Sequence, residues 1–157
     1  MARAVRLDDV AAALRQGGLR HHVDADQGVI RVIFVTETYR NLRDERLAIV
    51  TLSTPEEGRI VRGTIERAFA AGDDASQVCA RLCRMAADTP LVGVEYDRDG
   101  DNLRLVVESC VEDARPTSRQ VLSMIGRLVE AADVWFAAGG LKDASFLLES
   151  ERQQDAA

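Results

Sequence analysis

Residues 96–108 read YDRDGDNLRLVVE, with Asp97, Asp99 and Asp101 at alternate positions and Glu108 twelfth from Asp97. A calcium loop places oxygen ligands at positions 1, 3, 5 and 12 and a glycine at position 6, between two helices. Here position 6 is Asn102 and the glycine falls one place early, at Gly100. The flanks, VGVEY before and LRLVVE after, have the alternation and β-branching of strands. On a strand, Glu108 stands about 20 Å beyond the turn at ~3.3 Å per residue, too far to close a coordination sphere. Asp, Gly and Asn are also the residues that tolerate the backbone of a tight hairpin. The stretch therefore predicts two antiparallel strands joined by an acidic turn, and with that reading the chain loses its best metal candidate.

The rest of the chain is read outward from this hairpin. Leu7, Val10, Ala11 and Leu14 follow helical spacing and stop at Gly17–Gly18. A short strand is expected over Leu19–Asp24, then a turn at DADQG. VIRVIFVTETY, residues 29–39, is the strongest strand. Its Ile30, Val32 and Phe34 share one face, and Val29, Ile33 and Val35 the other, where Arg31 intrudes. Leu47–Leu52 is a third strand, again apolar on both faces. Thr54–Pro55–Glu56–Glu57 reads as a helix start, with Val61, Ile65, Ala68 and Phe69 as the stripe of that helix. A further helix carries Val78, Leu82, Met85 and Ala86 and ends near Asp88, before Pro90. Leu91–Tyr96 and Leu103–Cys110 form the hairpin strands. Thr117 and Gln120 form a capping box for a long last helix through Phe136, ended by Gly139–Gly140.

The expected fold class is α+β: a twisted antiparallel five-stranded sheet with helices packed on it, in the order α-β-β-β-α-(α)-β-β-α. Residues 6–138 are assigned to a single domain, and 139–157 to a C-terminal tail with a short helix. A chain of 157 residues, 46% hydrophobic, is long enough for one core. The net charge of -6 repels nucleic acid on average, and 4% aromatics leaves few stacking platforms. Of 20 basic residues only Lys142 is a lysine, leaving 19 arginines interleaved with acids. No apolar run reaches the ~20 residues of a membrane span, and the acids in MARAVRLDDV argue against a signal peptide, so a cytoplasmic location is expected.

Other chemistry is sparse. Cys79 and Cys83 share a helix face, but the second ligand pair of a zinc site is missing, and both are read as small core residues. His21 and His22 are adjacent, so on a strand only one could join such a site. Cys110 has no nameable catalytic partners, and no phosphate-binding or nucleophile-elbow motif occurs. The paired acids fall at helix starts and in loops. No catalytic, metal or cofactor residues are assigned, and no cofactor is expected.

The second half carries a family likeness. VCARLCRMAADTP leads into VGVEYDRDGDNLRLVVE, followed by the helix SRQVLSMIGRLVEAADVWF. This pattern resembles the YbjN family, whose fold is like that of the type III secretion chaperones. The Asn-rich helix that the family carries before its fourth strand reads CARLCRMAAD here. The resemblance implies a helix, three strands, a helix, two strands and a last helix over about residues 6–138. It also implies a non-enzymatic, often dimeric bacterial protein of a family labelled as sensory-transduction regulators, and transfers no catalytic residues.

Two functions follow. The first is a chaperone-like protein-binding module, a homodimer holding a segment of a client protein, with Val29, Ile33 and Val35 as the patch. The competing reading of that patch is cover by the chain's own helices. The second is a small-molecule sensor or enzyme with a cleft between sheet and helices, where Arg31 could hold an anion.

Overall fold

The structure, a computed structural model, describes residues 3–97, 99–111 and 115–139. The tail helix expected within 139–157 lies outside this range, apart from the backbone of Gly139. Four helical segments and six strands follow one another as α1 (Leu7–Gln16), β1 (His22–Asp24), β2 (Val29–Val35), β3 (Leu47–Ser53), α2 (Pro55–Gly58), β4 (Ile60–Ala70), α3 (Ala75–Ala87), β5 (Gly93–Asp97), β6 (Asn102–Cys110) and α4 (Ser118–Gly139). The strands form one antiparallel sheet in the order β1-β2-β3-β4-β6-β5.

The sheet thus has six strands, not five, because the segment expected as the first middle helix is β4. Val61, Ile65, Ala68 and Phe69 have the spacing of a helical stripe, but Val61 and Ile65 are inward positions of a regular strand with Gly63 between them, and a bulge separates Ile65 from Phe69. Ile65 pairs with Leu105 and Phe69 with Leu103, so four steps on β4 match two on β6. Arg67 takes up the slack with φ 51. Two extra residues preserve the side-chain parity, so Val61, Ile65 and Phe69 all reach the core. The helix start at Pro55 is likewise only a single turn, in which Glu56 and Glu57 are left-handed, with φ 54 and 56, and Thr54 makes no side-chain cap. Gly58 follows at φ 81, and a Cβ there would lie 2.3 Å from the Val5 carbonyl oxygen. Only glycine fits this turn, which docks the N-terminal segment through Val5 N–H donating to the Gly58 carbonyl at 2.8 Å.

The other elements follow their sequence signals more closely. α1 buries Val10, Ala11 and Leu14 and stops at Gly17–Gly18. Asp74 caps α3 by accepting from Gln77 N–H. The α4 capping box forms, with Gln120 N–H donating to Thr117 Oγ1 at 3.1 Å and Thr117 N–H to Gln120 Oε1 at 2.9 Å. β1 is shorter than expected, and β2 ends at Val35 rather than Tyr39. The acidic stretch is a hairpin turn between β5 and β6, in which Asp97 Oδ1 accepts from Asp99 N–H at 3.1 Å. Cys79 packs against the core, whereas Cys83 is exposed, because i and i+4 straddle the edge of the narrow buried stripe of α3.

The core lies on one face of the sheet. α4 places Val121, Ile125, Leu128, Ala132 and Trp135 against Val50, Leu52, Ile65, Leu105 and Val107, with α1 beside it. Gly63 marks a close approach: a Cβ there would stand 3.2 Å from side-chain carbons of Leu128, Leu52 and Val107. Gly63→Val should therefore destabilise the fold by about 1–3 kcal/mol through overpacking, read from urea unfolding. An unchanged midpoint would show that α4 does not press on the sheet at this point.

Candidate protein-binding surface

Helices on one face leave the odd-numbered side chains of β2 on the other. Ile33 is 63% exposed, Val35 83% and Ile49, directly across from Ile33 in the register, 41%. Val29 lies on the same face and is half-buried. The three residues singled out in the sequence are thus on the uncovered face, with Ile33 and Val35 open to solvent. Ile49 was not part of the patch read from the sequence. Its partnership with Ile33 depends on a cross-strand register that no single strand encodes.

The same face changes character toward β5. Arg62 on β4 bonds Glu108 on β6 at 2.8 Å and also reaches Glu95 on β5. Arg104 on β6 forms ion pairs with Glu66 at 3.0 Å and Glu95 at 3.4 Å. Partial burial alone would lower the pKa of Arg62, but Glu95 and Glu108 outweigh it and raise the value. Exposed ion pairs contribute little stability one at a time. Here they solvate one half of a sheet face, while the β2–β3 half stays apolar.

The edge of the sheet opens at the same corner. β1 pairs only with Val29, Ile30 and Arg31, so no described strand lies beside Val32–Val35. An unpaired edge with exposed apolar side chains is a template for a further strand. Arg31, the candidate anion holder, is engaged by Asp24 at 2.8 Å and by Gln27. Among the described residues, no group of three or more His, Cys, Asp or Glu is disposed to hold a metal. No described helix is long and apolar enough to cross a membrane.

A carboxylate fixes the end of this edge. Asp133 of α4 accepts from Tyr39 N–H at 2.7 Å and Thr38 N–H at 2.9 Å, and its backbone carbonyl accepts from the Thr38 hydroxyl at 2.9 Å. Tyr39 is buried behind it, its hydroxyl donating to the Ala68 carbonyl at 2.9 Å and its ring meeting Phe69 and Phe136 edge-on. Thr36–Tyr39 therefore leaves the sheet because α4 and the core draw it in, which explains the early end of β2. Sequence reasoning missed Asp133. Its partners lie 94 and 95 positions away, and an Asp on a helix gives no local sign of them.

The geometry defines a class: an α+β module with one helix-covered sheet face and one open face that is half ionic, half apolar. A chain of the same fold is YbjN from E. coli, described as a candidate transcription regulator; the two superpose with a TM-score of 0.55 at 13% identity, covering 84% of this chain and 92% of that one. A chain of the HopA1–SchA chaperone–effector complex superposes with a TM-score of 0.53 at 16% identity, covering 82% of this chain and 88% of that one. The likeness seen in the sequence is thus matched in the fold. Neither known family profiles nor curated proteins match the chain.

Asp133 has a testable signature. Partial burial pushes its pKa up, but the donors from Tyr39, Thr38 and Glu37 outweigh this and hold the carboxyl below the usual carboxylate range. A folded pKa below the unfolded one gives stability that is present above the unfolded value of ~3.9 and lost as pH falls through the folded value. Asp133→Asn should cost about 1–3 kcal/mol at pH 7. The gap to the parent protein should narrow as pH falls from about 4. Urea unfolding across this pH range reads both, and a gap independent of pH would remove the charge from the explanation.

Proposed function

We propose that this chain is a non-enzymatic, chaperone-like module that holds an extended apolar segment of a partner protein along β2. The supporting observation is the coincidence at one corner of an unpaired strand edge, Val32–Val35, with the exposed side chains of Ile33, Val35 and Ile49. Main-chain hydrogen bonds from an added strand would supply affinity, and its alternate side chains would cover Ile33 and Val35. The occurrence of the fold in a chaperone–effector complex supports the same reading. Pairing of two copies, which the family resemblance implies, would compete for the same patch.

A photo-crosslinking residue at Val35 tests the proposal, with Arg59, exposed and remote from β2, as the control position. The expected result is a discrete protein adduct at Val35 alone. The adducted segment, made as a peptide, should protect the amides of Val32–Val35 from hydrogen exchange. Ile33→Glu should weaken that peptide by about tenfold or more while changing stability by less than about 1 kcal/mol, since the side chain is exposed. Equal adducts at both positions, or no amide protection, would contradict the proposal. An adduct to the chain itself together with a dimer in sedimentation would assign the face to self-association.

A further inference from the structure

On the helical side of the sheet, a groove of about 520 Å³ runs beside α4 from Leu122 to Val134. These 12 steps span about 18 Å, or three helical turns. Its floor is apolar: Leu19, Phe34, Leu122, Ile125, Val129 and Val134, of which Val134 is 53% exposed. Gly126 opens the middle, since a Cβ there would meet nothing within 4 Å. The charged residues of the lining are Glu37, Glu130 and Asp133, and no basic side chain is among them. The Asp133 carboxylate is engaged by N–H and O–H donors rather than by a cation, so its charge is not cancelled.

We propose that this groove docks a cationic amphipathic helix of a partner protein, about three turns long, with its apolar stripe on the floor and its Arg or Lys residues facing Glu37, Glu130 and Asp133. An amphipathic helix reads a groove through anchors at i, i+3, i+4 and i+7, and a straight apolar trough along three turns of α4 matches that period. Charge selects the occupant. Residues 140–157 of this chain carry four acids and two bases, so the chain's own tail has the wrong sign for the rim. The groove lies across the sheet from Ile33 and Val35, and its occupancy is separable from the strand addition proposed above.

The test uses the full chain and two designed helical peptides, one of leucine and lysine and one of leucine and glutamate in the same pattern, followed by fluorescence anisotropy. The cationic peptide should bind about tenfold or more tighter than its acidic twin. The double variant Glu37→Lys, Glu130→Lys should remove that preference. Gly126→Leu should abolish binding while leaving the melting temperature unchanged or higher, because it fills the groove and replaces a helical glycine. Ile33→Glu should leave the peptide affinity unchanged, which separates this surface from the open face. Equal binding of the two peptides, or full binding to Gly126→Leu, would overturn the proposal. Binding that appears only after removal of residues 140–157 would also overturn it, by assigning the groove to the tail.

Discussion

The structure depends on one packing contact: the apolar face of α4 laid across the middle of the sheet. Leu128 sits above Gly63, where the missing side chain lets helix and strand approach, and Trp135 closes the core toward α3, its Nε1 donating to Thr89 Oγ1 at 3.1 Å. Burying a large side chain of this kind contributes about 1.5–3 kcal/mol. The sheet spends its helices on one side, and everything on the other side must be compatible with water or with a partner. β4, β5 and β6 meet that requirement with Arg62, Arg104 and their glutamates, while β2 and β3 do not.

This asymmetry connects fold to function. An apolar patch on a free strand edge is a hazard unless something covers it, and proteins ordinarily blunt such edges with charge, proline or a bulge. Here the bulge is on β4, a central strand, and the edge of β2 carries isoleucine and valine. Asp133 holds the segment after Val35 against α4, so the edge ends in a fixed place and does not fray into solvent. The corner is hydrogen-bonded to α4 on one side and apolar on the other, the arrangement that the proposed strand addition would use.

Much of this was legible in the sequence where the signal is local. The hairpin at Asp97–Asn102, the capping box at Thr117 and the two-faced apolar pattern of Val29–Val35 each depend on neighbours within a few residues. β4 was misread for a physical reason: Gly63 leaves the inward position between Val61 and Ile65 without a side chain, and the bulge before Phe69 brings Ala68 into the core as well, so the apolar spacing resembles a helical stripe. The Pro55–Glu57 helix start reinforced the error, although the acids there adopt left-handed backbone. The pairing of Ile33 with Ile49, the Asp133 anchor and the acid-rimmed groove depend on residues brought together from distant parts of the chain, which spacing along one element does not record.

Among the described residues, the helices cover one sheet face and leave the apolar half of the other open. Hydroxyl-radical footprinting of dilute protein, at a concentration where sedimentation shows a monomer, tests it directly. The expected result is rapid oxidation of Ile33, Val35 and Ile49, with Ile30, Val32 and Val50 on the same two strands protected. Equal protection of both sets in the monomer would contradict the account, because it would mean that the chain covers its own open face.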